Sequence, residues 1–355
     1  MKDDYLWDGS GEPDPEVQKL ENLLGRYRHD QPAPSFESIP QIVPGRQRWG
    51  FFRLKFAVPL GAVAAVVVAA ALFLYLRPRH EVVTGSAWEV ARIAGAPRVG
   101  RQTIRSDSQT GKLGVGQTLV TDNASRASLT LDETGRIEVD PDSRLRLIAS
   151  GRERKRLSLE RGTIHATIWA PPGEFVVDTP SAVAVDLGCV YTLHVDDSGA
   201  GLLRTTMGWV GFKLNGHESF IPAGAVCATR PKIGPGTPYF EDASASFRDA
   251  LTKFDFAATT PQERNALLGI LLVDARKQDA LTLWHLLSRV SDADRPGVYD
   301  RLVAVAPPPA DVTRDGVLRL DPKMLDSWWN SLGYGDVYLW HMYERTWAQT
   351  SRVTK

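Results

Sequence analysis

Cysteine is scarce in this chain: two in 355 residues, Cys189 and Cys227. No Cys-x-x-Cys pair exists, so neither a thioredoxin-like redox motif nor a cysteine-based zinc site is encoded. Charge of one sign is also missing. Forty-two basic side chains balance 42 acidic ones, so no net field points to nucleic acid or to a strongly acidic surface. The catalytic signatures are absent as well: no Gly-x-Ser-x-Gly, no His-Glu-x-x-His and no phosphate-binding Gly-Lys-Thr loop. The seven histidines show no metal-ligand spacing, and no catalytic, cofactor-binding or metal residue is assigned.

Charge is wholly absent from one long run, Phe56 to Leu76, FAVPLGAVAAVVVAAALFLYL. As a helix rising about 1.5 Å per residue it extends about 31 Å, against a hydrocarbon core of about 30 Å. The run is longer than the apolar part of a signal peptide and begins 55 residues into the chain. A buried core helix is the other reading, and the length favours a transmembrane helix. Residues 41–55 carry Arg46, Arg48, Arg53 and Lys55 without an acid, whereas Arg77 and Arg79 beyond the run are balanced by Glu81 and Glu89. The positive-inside rule places the N-terminus in the cytoplasm and everything after residue 76 on the far side.

The expected organisation has five parts. Residues 1–29 hold one amphipathic helix, with Pro13-Asp14-Pro15 at its start and Val17, Leu20, Leu23, Leu24 and Tyr27 at helical spacing. Leu20, Leu23, Leu24 and Tyr27 are the candidate partner-binding residues; a transiently helical tail is the competing reading, because one short helix is marginal alone in water. Residues 30–55 form a Pro-rich linker and basic flank, and 56–76 the span. Residues 85–240 read as short strands punctuated by turns such as Asp140-Pro141-Asp142 and Asp196-Asp197-Ser198-Gly199, with Asn215-Gly216 the strongest hairpin signal. That pattern predicts an all-β sandwich, barrel or solenoid. It also gives Leu157–Leu159 and Thr163–Trp169 as separate strands. Residues 244–355 read as a small α-helical domain: Thr260 and Glu263 have capping-box spacing with Pro261 at the first helical position, and Asp321-Pro322 opens a later helix.

The two cysteines lie beyond the span. In an oxidising compartment they are a candidate disulfide; two separately buried thiols are the alternative. Asp186, Cys189 and His194 look superficially like a nucleophile with its base, but an odd separation on one strand puts Cys189 and His194 on opposite faces. Arg152, Arg154, Lys155 and Arg156 read as a solvated turn, and Trp328, Trp329, Trp340 and Trp347 as core packing more than a ligand box.

The β block resembles the FecR-type domain of bacterial membrane-anchored anti-sigma regulators. The ordered pieces are Gly116-Gln117-Thr118-Leu119-Val120-Thr121, Ser125-Arg126-Ala127, Leu129-Thr130-Leu131, Gly135-Arg136-Ile137-Glu138-Val139, Leu159-Glu160-Arg161-Gly162, Phe175-Val176-Val177-Asp178-Thr179-Pro180, Val185-Asp186-Leu187-Gly188, Gly208-Trp209-Val210 and Pro222-Ala223-Gly224. The resemblance implies a signal-transducing, non-enzymatic regulator of the bacterial inner membrane, whose cytoplasmic segment holds a sigma factor while the periplasmic part senses an envelope protein or ligand. Where the family usually has threonine after Gly188, this chain has Cys189, a departure that suggests a subgroup with Cys189–Cys227 as its bridge. The N-terminal segment is shorter than a complete sigma-binding domain, and the helical C-terminus departs from the iron-transport members, so iron signalling is not implied. A non-catalytic envelope scaffold is the second reading.

Overall fold

The computed structural model describes residues 86–152, 154–214 and 216–337, with Pro15 and Gln18 as two further helical positions. The apolar run 56–76 and the candidate docking residues Leu20, Leu23, Leu24 and Tyr27 lie outside the described residues. Among the described residues no helix is long and apolar enough to cross a membrane. The chain divides into two compact units, residues 1–79 and 80–355, and every element described below belongs to the second.

Strands come first. They are β1 (Trp88–Ala94), β2 (Arg98–Val99), β3 (Gln102–Thr103), β4 (Thr110–Leu113), β5 (Thr118–Val120), β6 (Arg126–Leu131), β7 (Gly135–Val139), β8 (Arg144–Ser150) and β9 (Lys155–Ile168). Then come β10 (Phe175–Asp178), β11 (Val183–Asp186), β12 (Val190–Val195), β13 (Gly201–Met207), β14 (Trp209–Leu214), β15 (His217–Pro222), β16 (Ala225–Arg230), β17 (Gly234–Pro235) and β18 (Tyr239–Phe240). One sheet runs β4-β1-β6-β7-β9-β12-β13-β16, with β17 and β18 beside β16, all antiparallel. The other runs β3-β2-β5-β8-β9-β10-β11-β14-β15, and there β9 and β10 are parallel.

Alternation explains why these sheets stack. From Arg144 to Ile148 in β8 and from Gly201 to Thr206 in β13 every second residue is buried, the period expected of a strand with one face on a core. Leu129, Ile137, Ile164 and Leu193 from the first sheet share a single buried cluster with Leu145, Leu157, Val177 and Phe212 from the second. Of the architectures the sequence left open, the molecule is therefore two stacked sheets, not a closed barrel. Leu214 pairs with His217, the register of the two-residue hairpin predicted at this point, and Gly216 has φ +80°.

One expectation is corrected. The segments read as separate strands on either side of Arg161-Gly162 are a single strand, β9. Its first half, Lys155 to Arg161, pairs with β8; its second half, Gly162 to Ile168, pairs with β7 and β12. Gly162 marks not a reversal but the point where the strand leaves one sheet for the other. Its φ is +97°, and a Cβ built there would lie 2.1 Å from Ser143 Oγ. Ser143 fixes this corner: its hydroxyl accepts from Thr163 N–H at 3.0 Å, and its own N–H donates to Thr121 Oγ1 at 2.9 Å.

Among the described residues six α-helices follow the strands: α1 (Ala245–Phe256), α2 (Pro261–Asp274), α3 (Ala280–Leu287), α4 (Arg295–Val305), α5 (Arg314–Leu318) and α6 (Pro322–Leu332). Thr260 and Glu263 form the predicted capping box of α2, and Asp321 accepts from Lys323 N–H at the start of α6. These helices are joined to the strands. Leu281, Trp329 and Val337 belong to the same buried cluster as the sandwich. The α3 side closes the margin of the second sheet. His285 Nε2 accepts from Phe220 N–H at 3.0 Å, and Arg289 donates to the Glu218 carbonyl at 2.7 Å. Both groups belong to β15, the terminal strand, whose outward backbone groups would otherwise be open to pairing with another chain.

Candidate functional site

The loop from β11 into β12 collects the chemistry-bearing residues singled out in the sequence. Asp186 ends β11 only 1% exposed, and Cys189 is fully buried. Gly188, at φ +84°, turns the chain so that its N–H donates to Asp186 Oδ1 at 2.7 Å while the Cys189 thiol donates to Oδ2 at 2.5 Å. Burial pushes the Asp186 carboxyl up to about 7 against a lowering from these hydrogen bonds. Burial, and then the neighbouring carboxylate, push the Cys189 thiol well above the ordinary range. A thiol held in its protonated form is a poor nucleophile. His194 is not its base: that ring lies on the outer face of β12, bonded to Thr163 Oγ1 at 2.9 Å. The turn is a buried polar clasp.

The candidate Cys189–Cys227 disulfide is not formed; both thiols are free and buried. Register gives the reason. Leu193 pairs with Leu203, and Leu203 with Cys227, so Cys227 lies two strands from β12. Cys189 is four residues back along the chain from Leu193. At about 4.8 Å per strand and 3.4 Å per residue the two Cα atoms are roughly 16 Å apart, beyond the limit of about 7 Å for a bridge. Cys227 has its own acceptor, the Gly236 carbonyl at 3.2 Å.

Other sequence candidates fall into place on the surfaces. His165 sits in a polar row on the outer face of the first sheet, 2.8 Å from Asp140 Oδ2 and 3.0 Å from Thr192 Oγ1. Of the basic run, Arg156 forks onto Asp178 at 2.6 and 2.7 Å, and Lys155 is buried with Glu174 at 3.8 Å. Trp328 and Trp329 are core residues as expected; Trp340 and Trp347 lie outside the described residues. Among the described residues no group of three or more His, Cys, Asp or Glu side chains is placed to hold a metal ion.

What sequence reasoning missed is the helix-to-sheet junction. Arg289 spreads its guanidinium over the Glu218 carbonyl and Ser219 Oγ, both at 2.7 Å, and over Thr237 Oγ1 at 3.2 Å and the Pro235 carbonyl at 3.3 Å. Asp255 on α1 accepts from Thr237 N–H at 2.6 Å and Thr237 Oγ1 at 2.9 Å. Burial raises its carboxyl, opposed first by the charge of Arg289. His285 is enclosed by Trp284 and Trp329, with ring centroids 5.1 and 5.7 Å away. Burial, and then the charge of Arg289, bring it down to about 3, so it stays neutral and accepts at Nε2. No local motif announces the roles of His285 and Arg289, since their partners on the strand segments are 52 to 71 residues away.

Residues 117–207, from β5 to the end of β13, match the family model described as FecR protein. This stretch is a FecR domain. It includes the β9 crossover and the Asp186–Cys189 clasp. Two crystal structures, at 1.65 Å and 2.50 Å, of a protein from Parabacteroides distasonis provisionally assigned as an anti-sigma factor are similar to this chain. Each is 14% identical with a TM-score of 0.32, and each alignment covers 38% of this chain. The alignments span 63% and 62% of those chains, less than two thirds of their length. No curated protein matches.

The buried acid and the buried base around the FecR domain titrate with opposite signs. His285, lowered from 6.5 to about 3, contributes stability that is complete above about 6.5 and lost as the pH falls toward 3. Asp186, raised from 3.8 to about 7, contributes stability that is complete below about 3.8 and lost as the pH rises through 7. In Asp186→Asn the second contribution disappears. The stability difference between wild type and Asp186→Asn should therefore grow in favour of wild type by about 1.4 kcal/mol for each pH unit of acidification between 7 and 4. Denaturant titrations at four pH values measure it, and parallel profiles would show that Asp186 does not carry the shifted proton.

Proposed function

We propose that this chain is a FecR-like signal-transducing regulator of the bacterial inner membrane, an anti-sigma factor that couples an envelope signal to a cytoplasmic sigma factor. Residues 56–76 cross the bilayer, the N-terminal segment is cytoplasmic, and the FecR domain with its helices is periplasmic. One observation carries the reading: the FecR match at 117–207 falls on the two-sheet part of the molecule. It is supported by the order of the chain, with a short segment bearing a leucine stripe, an apolar run long enough to span, and then the FecR domain. In this reading the signal passes by binding. In the cytoplasm Leu20, Leu23, Leu24 and Tyr27 form the docking stripe.

Purification of the full-length protein from its native membrane in mild detergent should recover a sigma factor. Deleting residues 1–45, or changing Leu20 and Leu24 to Asp, should remove it while leaving the protein in the membrane fraction. Recovery of envelope proteins alone, insensitive to both changes, would move the chain to the scaffold class.

A further inference from the structure

One end of the first sheet carries an unusual pair of exposed side chains. A cross-strand row runs Glu89, Thr130, Arg136, Thr167, Val190 and Met207 over β1, β6, β7, β9, β12 and β13. It faces away from the core, and Met207 is 54% exposed. Trp169 stands two residues beyond Thr167 on the same face, its backbone N–H bonded to the Thr134 carbonyl at 2.7 Å. It is 62% exposed, and the neighbouring strand brings only Gly188 to the position beside it. Two strand spacings and two residues put Trp169 and Met207 about 12 Å apart.

The chain enters the sandwich at this same end. Ser86 donates to Asp132 Oδ2 at 3.4 Å, and Trp88 opens β1. Between Leu76 and Ser86 lie only residues 77–85, which reach at most about 30 Å when fully extended. If the run 56–76 crosses the bilayer, as proposed above, this end of the sheet cannot stray far from the lipid surface.

We infer that this end of the first sheet rests on the bilayer, with Trp169 and Met207 entering the headgroup region. A tryptophan ring suits that layer, apolar in body with one polar N–H, and a methionine adapts to an irregular surface. The exposed charges here are Glu89, Asp132 and Glu133 against Arg136 and Lys112, the last paired with Glu89 across β1 and β4. Their balance is acidic, so the contact is apolar, needs no anionic lipid and is insensitive to salt.

The test uses the full-length protein in vesicles of phosphatidylcholine and phosphatidylethanolamine. The native thiols are buried, so Met207→Cys can be labelled selectively with an environment-sensitive fluorophore. Lipids carrying a headgroup nitroxide should quench that emission at least twofold. The same label at Ser198→Cys, in the turn at the opposite end of β12 and β13, should be unaffected. Adding Trp169→Asp to the Met207→Cys protein should abolish the quenching. Equal responses at the two sites, or none at either in protein that floats with the vesicles, would overturn the contact and leave membrane anchoring intact. Protein that does not float with the vesicles would overturn the anchoring itself.

Discussion

Arg289→Ala is expected to destabilise the unit by about 3–5 kcal/mol. The guanidinium supplies donors to two carbonyls and two hydroxyls on two separate segments, Glu218–Ser219 and Pro235–Thr237. Truncation leaves those acceptors without their donor inside the helix-to-sheet junction, at about 1–3 kcal/mol for each buried group that water cannot reach. It also removes the positive charge that opposes the burial penalty on Asp255. For a unit of this size the melting midpoint should fall by roughly 10 °C. Arg289→Lys keeps the charge but not the planar fork, so it should recover only part of the loss. Thermal unfolding of the three proteins in the same detergent measures this. A shift under about 2 °C for the alanine variant, less than 1 kcal/mol is worth in a domain of this size, would mean that the helices are held on β15 by packing alone.

The second large effect is at the β9 crossover. Gly162→Ala should cost about 3 kcal/mol or more, part of it backbone strain at φ +97°, typically about 1–3 kcal/mol for a side-chain-bearing residue. The rest is steric, because the new methyl would sit 2.4 Å from Ser143 Cα, a backbone atom that cannot rotate away. Gly116→Ala separates the two contributions. Gly116 also has a left-handed φ, +83°, but a Cβ added there would meet nothing within 4 Å. Its substitution should cost only about 1 kcal/mol. Equal losses at the two positions in urea titrations would show that the contact with Ser143 contributes nothing.

Much of this fold was legible in one dimension. Alternating burial in β8 and β13, the Asn215-Gly216 hairpin and the Thr260–Glu263 box all arise from local rules, and the chain obeys them. The outer placement of His194 followed from strand parity. Gly162 was misread because a glycine among charged residues looks like a turn, whereas its true cause is a neighbour, Ser143, in the turn between β7 and β8. The disulfide could not be decided from the sequence because it depends on register between β12, β13 and β16. His285 and Arg289 were invisible for a related reason: an acceptor and a donor for backbone groups leave no pattern near themselves. Exposure of Trp169 and Met207 likewise depends on a whole row of strands.

The capping of β15 has a consequence for synthesis. Phe220 is made 65 residues before His285, and Glu218 71 residues before Arg289. At about 5–20 residues per second the ribosome leaves this edge without its cover for roughly 3–15 s. During that interval the nascent sandwich carries an apolar, unpaired margin, so its hazard is greatest before α3 exists. A chain stopped between Pro222 and Ala280 should accordingly be a chaperone client and aggregate when released, even though every strand of its FecR domain has already been made.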